Sequence, residues 1–236
     1  MKQTLFKLDW DSEFFQYNVC RINGLINSIE DLKAIDLKMK ESKFKLAYYS
    51  SSDEISFDTI DFIDIFLVDK KTTFLKPIDS NIKSHPAICS YDSEIPSIKL
   101  IKLAFQSGVY SRFNIDKKIG RKKFEELYSI WITKSVKREI AKEVIVYKKN
   151  DDIAGYLTIG EKNNRADLGM GAVDPKYRGL NIGKVLFENA EKWAFDNGYK
   201  YIQIVTQGDN IPACKLYEKL GYTAITKEYF YHIWKK

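Results

Sequence analysis

Two stretches carry residues whose types and spacing could do chemistry. The first runs from Val173 to Lys184, VDPKYRGLNIGK. An apolar strand-like run ends at an Asp174-Pro175 turn, and a glycine-bearing loop then opens into an amphipathic helical pattern. Backbone N–H groups from Gly179 to Lys184 would lie at a helix N-terminus without intrahelical acceptors, and the helix dipole adds about half a positive charge, so main chain alone can hold a diphosphate. The same letters also fit an ordinary strand-to-helix turn. There is no GxxxxGK[ST], and no GxGxxG with an acidic residue about twenty positions later, so nucleotide hydrolysis and hydride transfer drop away. The second stretch is NIPACKLYEKLGY, with Asn210 and Tyr217 on or beside a short helix. Read alone, Tyr217 is an aromatic whose usual fate is core packing.

Other nucleophile and metal patterns are missing. Cys20, Cys89 and Cys214 stand at unrelated spacings with no CxxC pair, and His85 and His232 stand alone. The expectation is no metal and reduced thiols in a cytoplasmic protein. A general base cannot be read; Glu139, Glu161 and Asp167 are conceivable, with water as relay. A net charge of +6 is spread among 32 acidic residues, which argues against a nucleic-acid arm, and no apolar run reaches membrane-spanning length.

The elements that must position these residues follow from periodicity. An opening LDWDSEFFQYNVCRING precedes a helix near Ile29 to Phe44 with Ile29, Leu32, Ile35 and Met39 on one face; strands follow at Lys45 to Tyr49 and Phe62 to Val68, with Lys70 to Pro77 as a hairpin partner of the latter. Turn signals in NIKSHP, SYDSE and IPS put a domain boundary in Asp79 to Pro96, giving an N-terminal α/β domain over 1–92 and a second domain over 93–236. Helices are expected at Ile98 to Phe105 and Arg121 to Arg138, strands at Glu143 to Lys148, Ile153 to Gly160 and Arg165 to Val173, a helix at Ile182 to Phe195, a strand at Tyr201 to Thr206, and a helix at Pro212 to Leu220 before a β-rich tail. At 236 residues and 44% apolar content, one large or two small domains are possible.

Arg178-Gly179-Leu180-Asn181-Ile182-Gly183 resembles the Q/R-x-x-G-x-G/A pattern of the GNAT acetyltransferases, with Asn181 where the family usually has glycine. NIPACKLYEKLGY is similar to that family's N-x-x-A-x-x-L-Y-x-K-x-G-F/Y segment, in the right order and about thirty residues on. The resemblance implies an α/β fold with a mixed, mostly antiparallel sheet flanked by helices, a smaller N-terminal α/β domain over the acceptor site, and acetyl-CoA as co-substrate. It implies a cofactor site of Ala172, Val173, Arg178, Gly179, Leu180, Asn181, Ile182, Gly183, Lys184, Asn210 and Tyr217. The pantetheine arm would enter between the strand ending at Val173 and the next one, using free backbone groups around Ala172 and Val173. Tyr217 would face the thioester sulfur as hydrogen-bond donor to the departing thiolate.

LDWDSEFFQYNVCRI, AFQSGVYSRF, FEELYSIWITKSV and VTQGDNIPACKLYEKLGY further resemble the branch of that family that N-acetylates dTDP-linked 4-amino-4,6-dideoxy sugars, the dTDP-fucosamine acetyltransferases. By that resemblance Arg112 pairs with a diphosphate, Ser111, Phe113, Tyr128 and Trp131 join the acceptor site, and the product is a nucleotide-linked N-acetylated amino sugar. Tyr128 and Trp131 also fit the apolar side of a helix, and Ser111 a turn cap. A transferase acting on a peptide, lysine or polyamine is the alternative within the class, and a non-catalytic acyl-CoA sensor the alternative outside it. A homodimer is compatible with the sequence.

Overall fold

The computed structural model describes residues 3–57, 60–78 and 84–236. Along the chain lie β1 (Thr4–Lys7), α1 (Asp9–Phe15), β2 (Val19–Asn23), α2 (Ile29–Glu41), β3 (Leu46–Ser51), β4 (Ile63–Pro77), β5 (Ile88–Ser90), α3 (Ile98–Ser107), α4 (Arg112–Ile115), α5 (Arg121–Val136), β6 (Glu143–Lys149), β7 (Asp152–Lys162), β8 (Arg165–Val173), a 3-10 turn (Pro175–Tyr177), α6 (Ile182–Asp196), β9 (Tyr201–Gln207), α7 (Ile211–Lys219) and β10 (Thr223–Lys235). They form two compact units, Met1–Lys71 with Lys227–Lys236, and Thr72–Thr226.

In the first unit the strand order is β1-β2-β3-β10-β4, with β2 and β3 parallel and the β1–β2 and β3–β10 pairs antiparallel. Helix α2 begins in a capping box, Ser28 Oγ accepting from Asp31 N while the Asp31 carboxylate accepts from Ser28 N. Leu32, Ile35 and Met39 are buried together with Ile22, Ala47, Tyr49 and Ile233. Ile29, expected on that face, is exposed, because the first helical residue precedes the turn that lies on the sheet. The helix stops at Glu41 rather than Phe44: Lys43 takes a left-handed φ of 55°, and Phe44 N turns back to Met39 O at 2.8 Å.

Two expectations need correction. The hairpin over Phe62 to Pro77 is instead one fifteen-residue strand, β4; Asp69-Lys70-Lys71 offers none of the glycine or asparagine that a tight hairpin turn demands. The units do not divide at 92/93 but inside β4 and again inside β10, so each holds its own portion of both strands. Turn signals by themselves do not mark where compact units divide. Residues 79–83, with half of NIKSHP, lie outside the described residues, but Ile88–Ser90 within this stretch is a strand paired with β6.

In the second unit the order is β4-β9-β8-β7-β6-β5, antiparallel from β8 to β5 and parallel between β8 and β9. Strand alternation sorts the core into two layers. Val144, Val146 and Tyr156 face α3 and α5 through Leu100, Leu103, Ala104, Ile132 and Val136. Ile145, Leu157, Ile159 and Leu168 face α6 through Ile182, Leu186, Ala190 and Ala194. Helix α6 also buries Glu191, whose carboxylate meets Lys76 Nζ of β4 at 2.7 Å.

Burial raises the Glu191 pKa above its ordinary 4.5 while Lys76 pulls it back. Stability linked to this group is therefore complete below the ordinary value and declines as pH climbs through the raised one. Lys76→Met should cost roughly 2 kcal/mol at pH 7 by leaving the carboxylate without its cation. In urea titrations that deficit should shrink at pH 4, where the acid is largely neutral; an equal deficit at both pH values would mean the ion pair is not its source.

Candidate active site

The site begins with one extra residue in β8. Leu157 pairs with Gly171, but two residues on Ile159 pairs with Leu168, so β8 carries a β-bulge over residues 168–171. The facing reverses there: Ala166 and Leu168 pack toward α6, whereas Met170 and Ala172 pack toward α3 and α5. Thr158 Oγ1 accepts from Met170 N at 2.8 Å, and a Cβ on Gly169 would stand 2.6 Å from that oxygen, so the bulge requires glycine. Pairing with β9 covers Ala166 to Leu168 against Ile202 to Ile204 and ends as the bulge begins. Beyond it, Gly169 to Val173 and Ile204 to Gln207 are opposite walls of a cavity of about 440 Å³.

Asp174 closes β8. Its Oδ1 accepts from Lys176 N at 2.8 Å and caps the 3-10 turn, while its other oxygen pairs with Lys99 of α3. Lys99 also reaches Asp152 Oδ2 at 3.1 Å, which accepts from Tyr177 OH at 3.2 Å. Hydrogen bonds from Lys99 hold both carboxyls below their ordinary pKa. The anchored turn delivers the loop in a fixed shape, with Gly179 at φ 79° and Asn181 at φ 58°. Asparagine tolerates the left-handed geometry, which is how it stands in a glycine position.

Helix α6 then starts with no capping side chain and no acidic residue in its first turn. Its first intrahelical donor is Val185 N, to Asn181 O at 3.1 Å, so the N–H groups of Ile182, Gly183 and Lys184 have no helical acceptor. Ala172, Val173, Arg178, Gly183, Asn210 and Tyr217 line the cavity. Gly179, Leu180, Asn181, Ile182 and Lys184 form the adjoining loop and helix start. An open cleft beside bare N–H groups and Arg178 fits a long anionic thioester such as acetyl-CoA.

One expectation about this strand is revised. The Val173 carbonyl is not free: Gln106 Nε2 donates to it at 2.7 Å and Arg178 Nε approaches at 3.4 Å. Asp174 N bonds Ala154 O on β7 at 2.9 Å, so by strand alternation the Val173 N–H points to the opposite edge, toward β9 and the cavity.

Tyr217 is 8% exposed, its ring packed on Phe187 at 5.2 Å and Phe74 at 5.5 Å. Burial pushes its pKa well above the ordinary phenol value. Asn210 starts α7 by accepting from Ala213 N and Cys214 N, both at 3.0 Å, and burial raises the pKa of the Cys214 thiol.

Of the acceptor candidates only Tyr128 is among the cavity-lining residues. Phe113 and Trp131 stack edge-on at 5.7 Å, Trp131 and Tyr128 lie 5.0 Å apart, and the Arg112 guanidinium sits 4.7 Å from the Phe113 ring. Ser111 is a buried N-cap of α4 whose hydroxyl has no partner among the described residues. The base candidates lie elsewhere: Glu161 is bound to Lys142 and to Tyr199 OH, Asp167 accepts from Gln203 Nε2 at 2.7 Å, and Glu139 follows α5. His232 is stacked on Tyr48 in the first unit, and His85 caps a turn through Ala87 N. Sequence reasoning missed Gln106, Ser107, Tyr156 and Thr206, all of which line the cavity. Tyr156 is fully buried and donates to Ser107 Oγ at 3.2 Å.

No helix among the described residues is long and apolar enough to cross a membrane. The chain is 24% identical over 227 residues to dTDP-fucosamine acetyltransferase of Escherichia coli, covering 94% of each. It is 28% identical over 135 residues to the spore coat polysaccharide biosynthesis protein SpsD of Bacillus subtilis, covering 57% of this chain but less than half, 46%, of SpsD. Among solved structures, a conserved protein of unknown function from Staphylococcus epidermidis superposes with a TM-score of 0.64 at 12% identity, over 100% of this chain and 91% of that one. A GNAT-family acetyltransferase from Colwellia psychrerythraea superposes over all of both chains with a TM-score of 0.50 at 11% identity. Residues 100–222, just over half of the chain, match the acetyltransferase (GNAT) family, and with the splayed strands and bare helix start in that segment the chain belongs to this family and is an acetyl-CoA-dependent N-acetyltransferase.

Proposed function

We propose that the acceptor is the amine of a nucleotide-linked amino-dideoxy sugar of the dTDP-4-amino-4,6-dideoxyhexose type. The observation that carries this reading is the chemistry of the acceptor-side wall. Gln106, Ser107, Tyr110 and Tyr128 supply amide and hydroxyl groups, and no cavity-lining described residue is a carboxylate or imidazole. Sugar hydroxyls find partners among such groups, and aromatic faces stack on a pyranose. A polyamine or lysine, cationic at neutral pH with a pKa of about 10.4, would call for acidic residues. End-to-end similarity to a dTDP-fucosamine acetyltransferase supports the same reading.

Bound acetyl-CoA supplies an activated acetyl thioester. The N–H groups of Ile182 to Lys184, with Arg178, hold its diphosphate. The Val173 N–H faces the thioester oxygen and stabilises negative charge developing there, and Tyr217 donates to the departing sulfur. The test is thiol release from acetyl-CoA with dTDP-linked 4-amino and 3-amino dideoxy sugars, beside lysine peptides and spermidine. Rapid release with one sugar is expected; release with the cationic amines alone would sink the sugar reading.

A further inference from the structure

Gln106 closes α3 with its amide directed at the end of β8, and the hydrogen bond from Nε2 to Val173 O settles which amide atom is which. A carbonyl only accepts, so nitrogen must face it and Oε1 must face away. That oxygen has no hydrogen-bond partner among the described residues, and Gln106 lines the cavity. Next to it, Ser107 Oγ spends its hydrogen on Ala104 O at 2.7 Å, and Tyr156 spends its own on Ser107 Oγ at 3.2 Å. Both hydroxyls are spent inside the fold, Tyr156 being fully buried. On the wall beside Val173, Gln106 Oε1 is left as an acceptor in need of a donor from the substrate.

A neutral primary amine meets that need. To attack, its lone pair must point at the carbonyl carbon, which turns its two N–H groups away from the thioester. We propose that Gln106 orients the acceptor amine, its Oε1 receiving one of these N–H groups. This rests on the acceptor-side reading above and adds to it that the substrate amine binds uncharged. A C–N bond forms as the C–S bond breaks, the surplus proton of the amine leaves to water, and the thiolate departs with the Tyr217 hydrogen bond. Gln106 takes no proton.

Two substitutions separate this role from that of a simple anchor for the Val173 carbonyl. Gln106→Met removes donor and acceptor; Gln106→Lys keeps a donor for the carbonyl, removes the acceptor and adds a positive charge. Both should lower kcat/KM for the acceptor by roughly 10²-fold, the usual effect of a misoriented reactant. The calorimetric Kd for acetyl-CoA should stay within about threefold of wild type, a difference of about 0.7 kcal/mol. Activity restored in Gln106→Lys, or acetyl-CoA binding lost in Gln106→Met with the acceptor KM unchanged, would reduce Gln106 to an anchor and overturn the proposal. If wild type acetylates only a simple amine, the sugar reading fails, and the variants are compared on that amine. If it acetylates no amine, both readings fall.

Discussion

Tyr217→Phe is expected to lower kcat by about 10²-fold, the contribution typical of one well-placed proton donor, while leaving acetyl-CoA affinity nearly unchanged. The ring is held from two sides by Phe187 and Phe74 and a phenylalanine keeps that packing, so the substitution removes one oxygen. Losing that oxygen from its buried place costs on the order of 1 kcal/mol of stability, far too little to unfold the protein. The size of the kinetic effect depends on the proton. A free phenol titrates near 10 and a thiol near 8.5, so full transfer from tyrosine to thiolate is already uphill by about 2 kcal/mol. Burial of Tyr217 raises its pKa further and widens the gap.

Tyr217 therefore stays protonated and donates a hydrogen bond without giving the proton up. The pH profile carries the signature of that role: no limb in the wild-type profile between about pH 6 and 9 should vanish in the phenylalanine variant, since no group titrating there has been removed. Steady-state kinetics with calorimetry of acetyl-CoA binding checks both parts. A kcat within threefold of wild type would show that the hydroxyl does not meet the leaving group.

The elements that hold the loop and Tyr217 were legible because their local signals agree with their tertiary fate. Helix α6 has its apolar stripe and Gly198 stop, α7 its Gly221 stop, and β6 to β9 their alternation, and each spans within one or two residues of what periodicity expects. The missed parts depend on contacts distant in sequence. The bulge is written only as Gly169-Met170-Gly171, and its meaning lies in Thr158 across the ladder. Gln106 reads as a polar residue near a helix end until Val173, 67 positions away, is brought to it. The aromatic run around Tyr128 shows the opposite failure. Stacking groups suit a sugar, but Phe113 and Trp131 pack edge-on against one another and do not line the cavity. Composition alone cannot separate a binding aromatic from a packing one, since both need the same ring. In β4 an uninterrupted strand was broken in two because a charged trio, Asp69-Lys70-Lys71, imitates a turn by polarity while lacking turn stereochemistry.

The largest effect on binding is expected from Gly183→Asp. Gly183 takes an ordinary helical φ, and a Cβ there would meet Leu216 Cδ2 at 3.4 Å and Val173 Cγ2 at 3.9 Å, a snug fit that a small side chain can accommodate. In the free protein a carboxylate in the first turn of α6 is attracted by the helix dipole, a gain of about 0.3–1 kcal/mol at a terminus with no acidic residue of its own. The melting temperature should hold or rise. The same dipole is what a diphosphate would use, so the new charge competes for it. At an effective dielectric of about 20 and a separation of about 5 Å, each like-charge pair costs about 3 kcal/mol, and one such pair already weakens acetyl-CoA binding about 10²-fold. Gly183→Asn, nearly the same shape without the charge, should lose far less, and the gap between the two variants should narrow with added salt. Stability gained while binding is lost would place the diphosphate on the α6 N-terminus. Equal affinity in the aspartate and asparagine variants would place it elsewhere, whatever the loop resembles.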